Sequence, residues 1–189
     1  MSRSYRIRVR ESVHRVLRGE DRVSTQLEIL EVLPAKEMAG LLAAELEQRG
    51  FRRVGQELVR EDKGVTAHVD PETGNVTVRA EAKEDVKIEA TRDGWAYDDV
   101  GSTAKAVREG LKKELKKDLQ QKTDQKAAQL QSKATDELEG RLGDLRQELN
   151  GIVNRVTAEA LKIKAAQLGR IKEITEDPQA GSLTIVVEV

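Results

Sequence analysis

Among side chains suited to acid–base chemistry near neutral pH, the sequence offers two histidines, His14 and His68. A nucleophilic site built on either needs an activated hydroxyl and an orienting group within hydrogen-bond reach. His68 sits between Ala67 and Val69, on the polar side of an alternating run, and His14 sits among Val13, Arg15 and Val16. Both patterns are those of surface histidines. Asp70, Glu72, Gly74 and Asn75 bring several oxygen ligands close together. A helix–loop–helix calcium site needs Asp or Asn at alternate positions and a closing Glu, which this run lacks. Its expected role is a turn. Asp98 and Asp99 pair two carboxylates, a motif for general acid–base work or magnesium. They directly precede Ser102-Thr103 and a long helical stretch, and negative charge near a helix start is favourable by about 0.3–1 kcal/mol. Capping accounts for them. Gly19-Glu20-Asp21 and Gly140-Arg141-Leu142-Gly143 fit neither the P-loop nor the dinucleotide glycine pattern. The residues assign no catalytic, cofactor-binding or metal-binding position, and the chain is expected not to be an enzyme.

Two other groups point to binding. Trp95 and Tyr97 are two of only four aromatics, the others being Tyr5 and Phe51. They fall where sheet gives way to helix. One reading is a packing joint, the other an exposed anchor for a partner, since aromatics often dominate binding energetics. Lys112-Lys113 and Lys116-Lys117 cluster on a helix face. The readings there are a solvated helix surface, a contact for an acidic protein partner, or a contact for nucleic acid or anionic membrane. No aromatics are interleaved with these lysines, which disfavours single-strand binding. A second basic surface is offered by Arg3, Arg6, Arg8, Arg10, Arg15, Arg18 and Arg22, with Glu28 and Glu81 placed to neutralise it.

These residues need elements to hold them, and composition limits the choice. The 189 residues include 33 Lys+Arg and 34 Asp+Glu, no cysteine and 2% aromatics. Without a thiol there is no disulfide framework, no cysteine-based zinc site and no cysteine nucleophile. The balanced total argues against a protein that coats nucleic acid. No apolar run approaches the ~18 residues of a membrane span, and the start of the chain lacks the apolar core of a secretory signal. A soluble, cytoplasmic protein is expected. The balance is global and not local: residues 1–101 hold 17 basic and 20 acidic side chains, residues 102–133 hold 9 and 4.

Tyr5, Ile7 and Val9 alternate with arginines, and Val23, Thr25, Leu27 and Ile29 repeat the pattern. After Pro34, Met38, Leu41, Leu42 and Leu46 recur at helical spacing up to Gly50, with proline and glycine as punctuation. Strand patterns return around Phe51, Leu58-Val59, Val65–Val69, Val76–Ala80 and Val86–Ala90, continuing to Trp95 and Tyr97. Asp70 to Asn75 joins two of them as a hairpin connection. The first hundred residues thus predict an α+β base domain over 1–101, a mostly antiparallel sheet with one packed helix.

Residues 102–176 are free of proline and rich in helix formers. From Val107 to Ile163 the apolar stripe takes fifteen steps over 56 residues, about 3.7 per step. A regular left-handed coiled coil needs about 3.5, so this coiled-coil-like arm is nearly straight. The stripe broadens after Ile152, which predicts more burial there. Residues 182–189 are β-branched and read as a strand that completes the base sheet. One unbroken helix over 102–176 is about 112 Å long and carries that strand far from the sheet. A break at Gly140–Gly143, or at Asn150-Gly151, returns it. The expectation is a projecting helical hairpin broken near 140–151, followed by residues 177–189 as the C-terminal strand. The alternative is a continuous rod whose last strand pairs with another subunit.

Ser2-Arg3-Ser4-Tyr5-Arg6-Ile7, Ser24-Thr25-Gln26-Leu27-Glu28-Ile29-Leu30, Leu33-Pro34 and Gly50-Phe51 together resemble the small accessory proteins of bacterial vWA–MoxR–FtsH ternary systems. The resemblance covers about the first hundred residues. It implies a non-enzymatic component working beside an AAA+ ATPase, an FtsH-like ATPase or a von Willebrand A-type protein, and it transfers no functional residues. The expected function is a non-catalytic adaptor or assembly component that presents a charged helical arm to a protein partner, with self-association through the apolar stripe. The alternative is a protein bound to nucleic acid or a membrane surface through the basic first helix. A hydrolase is the third class, and no nucleophile–base pairing supports it. No cofactor is implied.

Overall fold

The computed structural model describes residues 4–97, 101–177 and 182–188, with side chains from residue 104 of the long helix onward. The order is β1 (Ser4–Gln26), α1 (Ala35–Gln48), β2 (Arg52–Val54), β3 (Glu57–Asp62), β4 (Val65–Val69), β5 (Asn75–Tyr97), α2 (Gly101–Leu168), β6 (Arg170–Asp177) and β7 (Ser182–Glu188). Five strands form one sheet in the order β1-β5-β4-β3-β2, and β6 and β7 form a second. The fold is α+β, as the periodicities predict. The chain divides into two compact units, Met1–Asp21 with Glu81–Asp136 and Arg22–Ala80 with Glu137–Val189.

In the first unit, the inner side of β1 and β5 carries Ile7, Val9 and Ala96, which pack with Leu115 of α2. Ala90, Val107 and Leu111 extend that cluster. Alternation places charge on the opposite face. There Arg6 and Arg8 meet Asp93, Arg10 meets Glu89, His14 meets Asp85 and Arg18 meets Glu81. Partner numbers fall as β1 advances, so the two strands run antiparallel. Two glycines let backbone and helix approach closely. A Cβ on Gly19 would stand 2.3 Å from the Leu130 carbonyl carbon, and one on Gly94 would stand 2.9 Å from Leu111 Cδ1. Next to Gly19, the Gln131 amide donates to Glu20 O at 2.7 Å and accepts from Glu20 N at 3.2 Å.

In the second unit, Met38, Leu42, Ala43 and Leu46 bury one face of α1. The helix stops at Gly50, whose φ is 84°. Phe51 N donates to Leu46 O and Gly50 N to Glu47 O, a Schellman arrangement with Phe51 as its buried apolar contact. β3 and β4 are joined by Lys63-Gly64, both at positive φ, as a two-residue hairpin requires. β4 pairs with β5 from Val65↔Ala80 to Val69↔Val76, which buries Val65, Ala67, Val69, Val76, Val78 and Ala80. Leu138, Leu145, Leu149, Ile152, Val156, Ala160 and Ala165 are the buried positions of α2 here. Arg60 on β3 clasps these layers. It makes two hydrogen bonds to Glu148, at 2.7 and 2.6 Å, donates to Arg49 O at 3.0 Å, and lies 4.5 Å from the Phe51 ring centre. The guanidinium holds the Glu148 carboxyl below the usual carboxylate range, mainly through these hydrogen bonds.

Four expectations need correction. The helical hairpin near 140–151 does not form, because α2 is helical from Gly101 to Leu168. Gly140, Gly143 and Gly151 have open space around them and no positive φ. Each costs roughly 1 kcal/mol relative to alanine, too little to break a helix whose buried stripe continues on both sides. The C-terminal strand does not complete the base sheet but pairs with β6. The arm's last residues, read as helix to 176, hold the β-branched Ile171, Ile174 and Thr175, and they leave the helix at Gly169 to become β6. The turn signals Pro178 and Gly181 lie outside the described residues. The expected broadening of the stripe is also missing, since Leu161 and Leu168 are exposed and Val153 is half-buried.

Candidate functional site

The site residues chosen from sequence all lie in the first unit. β5 buries Ala96 completely, and its alternation turns Trp95 and Tyr97 to the face away from α2. They are 62% and 58% exposed. They therefore do not act as a packing joint between sheet and helix. Beside them along β5, Asp93 takes a hydrogen bond from Arg8 Nε at 2.9 Å and another from Arg6. The two guanidinium groups lower the Asp93 carboxyl pKa, Arg8 the more strongly. The result is a charged sheet surface ending in two aromatic rings.

Lys112, Lys113, Lys116 and Lys117 are exposed on α2. Leu111, Leu115 and Leu119 turn the opposite way, into the unit. The lysines have no acidic partner among the described residues. The acids nearest in sequence are already engaged. Arg92 reaches inward from β5 to bind Asp118 at 2.8 Å and Glu114. Arg92 thus neutralises the two acids one turn apart and leaves the lysine charge uncompensated. Aromatics and lysines sit on opposite outer faces of this unit, so they form two surfaces instead of one site.

The remaining candidates have local roles. His14 Nε2 lies 2.8 Å from Asp85 and His68 Nδ1 lies 3.0 Å from Glu57. Asp70 accepts from Glu72 N at 2.9 Å and from the Thr73 hydroxyl at 2.7 Å, which closes the β4–β5 turn and lowers its pKa. Gly74, at φ 72°, completes that turn. Asp98 and Asp99 lie outside the described residues. Among the described residues no group of three or more His, Asp or Glu side chains is placed to hold a metal ion. No helix among them is long and apolar enough to cross a membrane.

Sequence reasoning missed most partners of the arginine face. It named Glu28 and Glu81, of which Glu81 does meet Arg18, but it did not name Asp93 and Glu89, which carry most of the pairing. A signal was present. Arg6, Arg10, His14 and Arg18 recur every fourth residue, as do Glu81, Asp85, Glu89 and Asp93. Two such series on antiparallel strands fix a register by charge.

No curated protein and no solved structure matches the chain. The family model described as FtsH ternary system domain X5 matches residues 1–189, so the resemblance carried by the first hundred residues extends to the whole, and the chain belongs to that family.

Proposed function

We propose that this chain is a non-catalytic adaptor of the FtsH ternary system, working in the cytoplasm and docking a protein component of that system through the Trp95–Tyr97 face. The observation that carries the reading is the exposure of both rings on one face of a strand. Exposed aromatics on a fixed scaffold supply contact area at little entropic cost, and such residues concentrate binding energy at interfaces. Family membership supports a protein partner. The AAA+ ATPase or the FtsH-like ATPase is the component to test first.

A second reading rests on the lysine face. Four unpaired cations on one exposed helix surface suit a polyanion, whether nucleic acid or an anionic membrane. The two readings separate in one experiment. Binding of purified components, duplex DNA and anionic vesicles is measured against Trp95→Ala/Tyr97→Ala and against Lys112→Glu/Lys116→Glu. The adaptor reading requires a protein partner whose affinity falls with the aromatic variant and survives physiological salt. Steep salt dependence with sensitivity to the lysine variant alone overturns it.

A further inference from the structure

The second unit holds an open groove of about 750 Å³ between residues 23–28 of the β1 end and residues 142–154 of α2. Its apolar lining is Leu27, Leu142 and Val153, half-buried, over the buried Val76, Leu145 and Leu149. Its helix wall presents Arg146, Asn150 and Asn154, exposed and with no polar partner among the described residues. Its other wall is a sheet edge. β1 is terminal in the strand order, so among the described residues no strand pairs with the outer edge of Val23–Gln26. On β1, Ser24 is engaged with Thr77 at 3.0 Å and Gln26 donates to Thr73 O at 3.1 Å. Val23, 37% exposed, and Thr25 alternate with them.

We propose that this groove binds an extended segment of a protein partner, added as a strand to the β1 edge. Three features select that occupant. A free edge supplies main-chain donors and acceptors in a row. Residues four apart on a helix rise about 6.0 Å, close to the roughly 6.6–6.8 Å between alternate residues of a strand. Arg146, Asn150 and Asn154 therefore meet every second residue of an extended chain. Each carboxamide offers a donor and an acceptor, the pair a peptide unit needs. The segment that fits alternates apolar side chains toward the half-buried Leu142 and Val153 and carries a carboxylate for Arg146.

The test screens the full-length protein against a random-sequence peptide display library. Enriched peptides are expected to alternate apolar residues and to include an acidic one. Arg146→Glu and Asn150→Leu should each weaken them about tenfold, while Lys116→Glu leaves them unchanged. Asn150→Leu is the sharper variant, because a site held by apolar contact alone would bind more tightly. Peptide binding should also slow amide hydrogen exchange at Val23–Gln26. The proposal fails if no peptide enriches, if bound peptides are helical, or if those amides gain no protection. It also fails if the same variants abolish a dimer of the protein, which would make a second copy the occupant.

Discussion

Gly19 shows how one side chain's absence sets a distance. A Cβ there would lie 2.3 Å from the Leu130 carbonyl and 2.4 Å from Gln131 N, atoms of helix backbone that cannot rotate away. Gly19→Ala should therefore destabilise the protein by about 1–3 kcal/mol, despite the alanine's smaller entropy loss on folding. Gly94→Ala meets only the flexible ends of Leu111 and Val107 and should cost less. Urea unfolding of both variants checks the order, and a stabilised Gly19→Ala would refute the close approach. The charged face of the same strands makes a pH prediction. Lys87, and then Arg10, hold the Glu89 carboxyl at about 2. Asp93 is lowered as well, by Arg8 and Arg6. Both native pKa values lie below those of the unfolded chain, so the unfolded state binds more protons as pH falls. The stabilisation is complete above about pH 4.5 and is lost toward about pH 2. Thermal melts at low salt should show a steeper loss across that window for the native sequence than for Glu89→Gln/Asp93→Asn. Because these groups are exposed, about 1 M salt should erase most of the difference.

At the scale of elements, α2 is where sequence reasoning and structure part. Its helical content, its start and its apolar positions were legible, because spacing near 3.7 names Leu115, Leu119, Leu130, Leu138, Leu149, Ile152 and Val156 as buried, and they are. Its continuity was not legible. Glycines at 140, 143 and 151 look like breaks, and only packing tells a tolerated glycine from a turn. Strand length was hidden for a similar reason. Val23–Ile29 and Tyr5–Val9 read as separate strands because the middle of β1 lacks clear alternation, and cross-strand charge carries it through. The β4–β5 turn was legible, since Asp70 to Asn75 are turn formers and Gly74 takes positive φ, whereas the tighter Lys63-Gly64 turn went unread. The docking groove was not, because Arg146, Asn150 and Asn154 look like ordinary polar helix positions until β1 is placed opposite them. The continuous helix makes a direct prediction. Gly140→Ala, Gly143→Ala and Gly151→Ala should each stabilise the protein by about 0.5–1 kcal/mol, as solvent-facing helix positions do. A glycine that turned the chain would need a conformation alanine resists, so a lower melting temperature for any of the three marks a break there.

For the molecule as a whole, the question is which surface its partners read. Net charge is -1, yet residues 102–133 carry an excess of five positive charges and four of their lysines lack acidic partners among the described residues. Such a surface sets association rate and salt response more than affinity. The aromatic face behaves differently. Truncating two anchors at the centre of an interface typically costs about 2 kcal/mol or more, roughly a thirtyfold loss of affinity. In the adaptor reading, Trp95→Ala/Tyr97→Ala should slow little in association with its protein partner but dissociate about thirtyfold faster. Lys112→Glu/Lys116→Glu should slow association at low salt and match the native protein at about 0.5 M salt, where charges more than about 4–5 Å apart are screened. Surface-immobilised kinetics at two salt concentrations yield both rates. If the lysine variant alone loses binding, and the loss tracks salt with a slope set by the number of phosphates contacted, the polyanion reading replaces the adaptor.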